Sequence, residues 1–132
     1  MLQITARRLP NEKWVAYNSD YYISNRGRWY SVKSKKVLRQ YPNSSGYMRA
    51  ELIVGGQKKK VFTHIKVVEL FGDCKGSRLP ETDTLRELKL SIDHLDRDKR
   101  NNRQENLELV LHSENCKRKF IKKAIGGYKN GN

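Results

Sequence analysis

Residues 47–54 alternate. Met48, Ala50, Leu52 and Val54 fall on one side of an extended chain, and Tyr47, Arg49 and Glu51 on the other. A period of two predicts a half-buried β-strand. Gly55-Gly56 then turns the chain into Lys58-Lys59-Lys60-Val61-Phe62, which predicts a hairpin. Upstream, residues 14–17, 21–23 and 29–32 are short aromatic and β-branched runs that read as strands. Asn25-Arg26-Gly27 and residues 42–46 are turn signals between them.

The period changes after residue 62. Thr63 is placed to cap a short amphipathic helix that runs through Leu70 and stops at Gly72, with positions 65, 68 and 71 facing one way. Residues 72–87, with Pro80 and several acids, read as a loop. Residues 88–95 read as a strand, 96–105 are wholly polar, and 106–110 alternate as a return strand. Ser113 is placed to cap a helix from Glu114 to about Ile125, ended by Gly126-Gly127. The pattern predicts an α+β protein in two units. Residues 1–63 form an antiparallel, hairpin-rich β module. Residues 64–132 hold a linking helix (64–71), a loop (72–87) and a ββα unit (88–125).

Composition narrows the function classes. The 132 residues carry 28 Lys+Arg against 14 Asp+Glu, a net charge of +14, with pI near 10.0 and mean hydropathy −0.87. Such a surplus points to a polyanion. No apolar run approaches a membrane span and no secretory h-region is visible, so a soluble protein of the cytoplasm is expected. The two cysteines, Cys74 and Cys116, are too few for a disulfide scaffold or a four-cysteine zinc ribbon. The charge is uneven. Between Arg26 and Lys66 the only acid is Glu51, and after Glu114 there is none. Between these basic stretches, residues 73–98 carry a slight excess of acids.

Four residues of the ββα unit carry candidate chemistry. Asp93 and His94 end the first strand, Asn106 opens the second and Asn115 lies in the first turn of the helix. A helix packed across the hairpin would bring them together. Asp93 and Asn115 offer a sparse set of hard oxygens, suited to Mg²⁺ or Mn²⁺ with water and phosphate completing the shell. His94 can take a proton from water near neutral pH. Adjacent strand residues point to opposite faces, so a bend or bulge is expected to turn Asp93 and His94 inward together. Asn106 is placed to bridge the hairpin and hold the loop that aims His94.

The segment Ile92-Asp93-His94-Leu95-Asp96, Asn101 to Leu107 and Ser113-Glu114-Asn115 resembles the HNH nuclease motif in its ββα-metal form. It is most similar to the H-N-N variant of phage and intron-encoded homing endonucleases. Trp14, residues 22–28 and Ser31 resemble the modular DNA-binding motif fused to such nucleases. Residues 46–71 resemble the family's linking segment. The resemblance implies an endonuclease that hydrolyses DNA, with His94 as general base, Asn106 orienting the histidine loop, and Asp93 and Asn115 holding one divalent metal ion. It implies cleavage to a 5′-phosphate and a 3′-hydroxyl, one strand per active site. The alternative is a non-catalytic DNA-binding protein or a degenerate nuclease.

Double-stranded DNA is the expected partner, and the candidate contacts are Arg26, Arg28, Lys58, Lys59, Lys60, Arg103, Lys117 and Arg118. Asn101 and Asn102 read as loop formers. His64 reads as a structural residue or a phosphate contact, and His112 as one that lies near the site without a role in it. Tyr21, Tyr22, Trp29 and Tyr30 read as core and hairpin packing rather than base-stacking residues.

Overall fold

A computed structural model describes residues 4–79 and 89–124, with backbone alone for 119–124. Residues 80–87 of the expected loop 72–87, the first residue of the expected strand 88–95, the helix end at Ile125 and its Gly126-Gly127 stop lie outside the described residues. The fold is α+β.

Strands β1 (Trp14–Ala16), β2 (Tyr21–Ser24), β3 (Trp29–Ser31) and β4 (Lys36–Val37) form an antiparallel sheet in that order. Strands β5 (Tyr41–Pro42), β6 (Met48–Val54) and β7 (Gln57–Phe62) form a second. The β6–β7 turn pairs Val54 with Gln57 through Gly55 and Gly56, both with positive φ, as a two-residue hairpin turn requires. On β6, Ala50 and Leu52 are fully buried, as the alternation predicts, while Val54 at the hairpin tip is exposed. The two-residue strands β4 and β5 are additional to the predicted elements. They are exposed and too short to show a period.

Helix α1 (Thr63–Leu70) follows β7 without a break. Thr63 is not its cap: Phe62 holds that position and no side chain caps the first turn. The Thr63 hydroxyl instead accepts a hydrogen bond from Trp29 Nε1 at 3.0 Å and donates to Gln40 Oε1. Trp29 is fully buried, so its indole N–H needs such a partner. The buried face of α1 is Thr63, His64, Val67 and Val68; Ile65 and Phe71 are half-buried. The face is rotated from the predicted one because the helix packs between the first sheet, β6–β7 and the third hairpin.

That third hairpin is β8 (Leu90–His94) and β9 (Leu107–Leu111), antiparallel, with a short 3₁₀ turn at Gln104–Asn106 before β9. Helix α2 (His112–Ala124) packs back across it and begins at His112, ahead of the expected Ser113 cap. The His112 N–H donates to Lys89 O as the chain leaves the hairpin. Asp73 ties the preceding loop to the hairpin. Its Oδ1 accepts from the N–H groups of Lys75 and Ser77, and its Oδ2 from that of Leu109. The core does not stop at residue 63: Ile23, Trp29 and Leu52 share it with Val67, Val68, Ile92 and Leu107. No helix among the described residues is long and apolar enough to cross a membrane.

Candidate active site

β8 pairs with β9 one residue to one residue, from Leu90 opposite Leu111 to His94 opposite Leu107. The expected bulge is therefore absent. Asp93 and His94 point to opposite faces of the hairpin, and both are buried, at 4% and 5% exposure. They nevertheless line one small pocket, with Tyr47, Ile92, Arg97 and Lys99. The strand ends at His94, where a turn closes with the Arg97 N–H on His94 O. Beyond a strand end both faces can be reached, so no bulge is needed. Arg97 holds φ at +67°, uncommon for a residue with a side chain, and its guanidinium turns back to Asp93 Oδ1 at 3.4 Å.

On the Asp93 face stands α2. Ser91 and Asp93 lie two residues apart on β8 and so share that face. Asn115 Nδ2 donates to Ser91 Oγ at 2.8 Å, and Arg118, one turn along α2, reaches Asp93 Oδ2 at 3.0 Å. Asn115 and Asp93 therefore lie on the facing surfaces of α2 and β8. Asn115 is buried, and its Oδ1 has no hydrogen-bond partner. A buried carbonyl oxygen left alone is costly and calls for an explanation. A hard cation held with the Asp93 carboxylate would supply one, because both donors are oxygens. No group of three His, Cys, Asp or Glu side chains suited to a metal occurs among the described residues. The Asp93–Asn115 pair would hold the ion by two protein oxygens.

On the other face, His94 Nε2 stands 2.7 Å from Asn102 Oδ1. Its ring lies 5.4 Å from that of His64 and 6.0 Å from that of Tyr47. Burial holds the His94 imidazole below the ordinary histidine range, against the opposing pull of Asn102, Asp96 and Asp93. His94 is thus neutral at pH 7. His64 stacks on Tyr47 at 4.9 Å, and burial, with repulsion from His94 second, pushes its pKa down to about 3. Lys99 Nζ sits 4.5 Å over the Tyr47 ring and donates to Ser45 O.

Asn106 holds the loop between the two strands. Its Nδ2 donates to Asp96 Oδ1 and Asn101 O, and its Oδ1 accepts from the Asp96 N–H. The Leu95 N–H bonds its backbone carbonyl. Asn102, read from sequence as a loop former, is the side chain that meets His94. Tyr47, His64, Arg97 and Lys99 also gather at the site. The Asn101-Asn102 pair in a wholly polar loop is a signal for Asn102; the others needed the tertiary fold.

The expected DNA contacts divide into two groups. Lys58, Lys59 and Lys60 are exposed along β7, and Lys117 is exposed on α2. Arg28 is turned inward, its guanidinium forming two hydrogen bonds to buried Glu12 and lying over the Trp14 ring. Arg118 is likewise drawn to Asp93, Glu108 and Glu114. Arg26 pairs with Glu105, and Arg103 Nε donates to Asn101 Oδ1.

The family model for HNH endonuclease matches residues 61–117, the span that holds His64, Asp93, His94, Asn106 and Asn115. The chain is similar to DNA endonuclease I-HmuI of Bacillus phage SP01, with 35% identity over 75% of this chain and 51% of that protein. It is also similar to H-N-H endonuclease F-TflII of Escherichia phage T5, at 28% over 92% of this chain and 60% of that one. The fold matches a solved structure of DNA binding and cleavage by the HNH homing endonuclease I-HmuI. The TM-score is 0.68 and the identity 31%, covering 84% of this chain and 59% of that one. The chain spans about half to three-fifths of the length of these relatives. Residues 61–117 are a domain of the HNH endonuclease family.

Proposed function

We propose that this protein is a divalent-metal-dependent endonuclease that hydrolyses phosphodiester bonds in double-stranded DNA. Each active site cuts one strand and leaves a 5′-phosphate and a 3′-hydroxyl. The observation that carries this reading is the buried, unpartnered Asn115 Oδ1 on the helix that packs against β8, the strand whose last two residues are Asp93 and a neutral histidine.

Asp93 and Asn115 would hold the ion, Mg²⁺ or Mn²⁺. When bound, it supplies positive charge for the scissile phosphate and for the departing 3′ oxygen. His94 donates its Nε2–H to Asn102 Oδ1, which leaves Nδ1 with a lone pair. That nitrogen accepts a proton from water as the water oxygen attacks phosphorus and the bond from phosphorus to the 3′ oxygen breaks, and the 3′ oxygen takes its proton from a solvent water. Asn106 fixes both ends of the loop that carries Asn102. Arg97 and Lys99, on the pocket wall, place positive charge where the phosphate enters. Lys58, Lys59 and Lys60 run along an exposed strand and suit the backbone of a duplex. The relatives, one named a DNA endonuclease and the other an H-N-H endonuclease, support the same reading.

The test is nicking of supercoiled plasmid with Mg²⁺, comparing the wild type with His94→Ala. Mg²⁺-dependent nicks that ligase can seal, lost in His94→Ala, support the proposal. Equal inertness of both proteins, with DNA binding intact, overturns it in favour of a non-catalytic DNA-binding protein.

A further inference from the structure

We propose that the β2–β3 turn, residues 24–28, is a positioning element for His94, acting through Asn102. The inference rests on the nuclease reading for its effect on rate, although the contacts stand without it.

The turn lies in the first sheet and far from the ββα unit in sequence, yet three of its residues meet the loop before β9. Asn25 O accepts the Gln104 N–H at 2.9 Å. Arg26 Nη1 reaches Glu105 Oε2 at 3.4 Å. Gly27 lies against the backbone of Asn102. A Cβ on Gly27 would stand 2.9 Å from Asn102 O, 3.0 Å from its Cβ and 3.1 Å from its carbonyl carbon. These are backbone atoms and a Cβ, with no flexible end to swing away, so a side chain there must push the loop. Gly27 also holds φ at +80°, which disfavours any other residue.

The turn itself is anchored. Gln40 Nε2 donates to Gly27 O at 2.8 Å, Gln40 Oε1 accepts from the Thr63 hydroxyl, and that hydroxyl accepts from the fully buried Trp29. Ser24 Oγ accepts the N–H groups of Arg26 and Arg28. One continuous set of contacts therefore runs from the core at Trp29, through Thr63, Gln40 and Gly27, to Asn102 and His94. Asn102 is 4% exposed and has little room to compensate for a shifted backbone. A displacement of the Asn102 backbone moves the Oδ1 that holds Nε2, and with it the direction of Nδ1.

The experiment uses the full chain with Gly27→Ala, Asn102→Ala and the double variant. Three quantities are read: the ring ¹⁵N shifts of His94, the single-turnover nicking rate at saturating DNA, and the Kd for DNA. Gly27→Ala is expected to change the His94 shifts and to slow nicking about 10²-fold, as a displacement near 1 Å can do. The Kd should stay within about twofold. In the Asn102→Ala background the same substitution should add little, because its route is already cut. Wild-type His94 shifts and wild-type rate in Gly27→Ala overturn the proposal, as does a rate loss that multiplies in full with that of Asn102→Ala.

If Gly27→Ala does not fold, Gln40→Leu removes the bond to Gly27 O more gently. It should slow nicking about three- to tenfold, in keeping with one hydrogen bond, with the same kind of change in the His94 shifts. Unchanged shifts in folded Gln40→Leu overturn the proposal. A wild type that never nicks DNA defeats the nuclease reading instead, and the His94 shifts still decide whether the turn governs the histidine.

Discussion

His94 Nε2 and Asn102 Oδ1 stand 2.7 Å apart, and both residues are buried. The carbonyl oxygen accepts only, so the neutral imidazole donates from Nε2 and keeps its lone pair on Nδ1. Asn102→Ala removes that constraint and leaves the base intact. Nicking at saturating DNA is expected to fall about 10- to 100-fold, the scale seen when an orienting partner is lost. His94→Ala should cost more, about 10²–10⁴-fold. Affinity for DNA should be unchanged in both. An Asn102→Ala protein that nicks at the wild-type rate would show that the histidine needs no such partner.

Asn115 makes a prediction about metal that does not depend on turnover. Its Nδ2 is satisfied by Ser91 while its buried Oδ1 has no partner. Asn115→Ala gives up one hydrogen bond and also removes an unsatisfied oxygen, so stability should change by less than about 1 kcal/mol. Mn²⁺ affinity, read from the free-ion electron paramagnetic resonance signal, should weaken at least about tenfold. Asn115→Asp keeps the oxygen and adds charge, so it should bind Mn²⁺ at least as tightly as the wild type. Identical Mn²⁺ titrations for wild type and Asn115→Ala would remove Asn115 from the ligand set.

The parts of the fold legible in the sequence are those with a period or a fixed order. The β6 alternation puts Ala50 and Leu52 in the core, and the strand–loop–strand–helix order around Asp93, His94, Asn106 and Asn115 is the β8–β9–α2 unit. Other features depend on a partner distant in the chain. Thr63 looks like a cap because threonine often is one, but the buried Trp29 indole claims its hydroxyl. The apolar face of α1 is set by what it packs against, and periodicity over eight residues fixes it poorly. Arg28 reads as a free cation until Glu12 is seen beneath it. Asn102 shares its residue type with every loop-forming asparagine, and only the folded loop brings it to His94.

Arg28 and the β7 lysines should separate stability from DNA binding. Glu12 is 3% exposed and its carboxylate is paired with the Arg28 guanidinium. Arg28→Ala would leave that carboxylate buried and unpaired. The cost should be about 2–3 kcal/mol, below the roughly 3–5 of a fully buried pair because part of Arg28 meets solvent. Urea melts should show this loss. Replacing Lys58, Lys59 and Lys60 together with Ala should leave the melt unchanged within about 0.5 kcal/mol, as the residues are exposed. It should lower the slope of log affinity against log salt by about 2–3, near 0.9 for each lost phosphate contact. A triple variant with the wild-type salt slope would take β7 out of the DNA interface.

His64 ties the site to the acid stability of the protein. It is buried against Tyr47, Phe62 and His94, its Nδ1 has no partner, and its pKa is pushed down to about 3, first by burial and then by His94. In the unfolded chain the same imidazole titrates near 6.5. Between about pH 6.5 and 3 the unfolded state therefore binds a proton that the folded state refuses. Stability is complete above the unfolded value and falls as pH drops below it, by about 1.4 kcal/mol per pH unit for this one proton. His94, also lowered by burial, adds a loss of the same sign. His64→Phe keeps a flat ring for Tyr47 to stack on and has no proton to take up, so its stability between pH 6.5 and 4.5 should decline less steeply by about one proton. Urea unfolding at three or four pH values measures this difference directly. Equal slopes would mean that His64 opens to water and protonates without unfolding, and the packed contact with His94 would then not persist in acid.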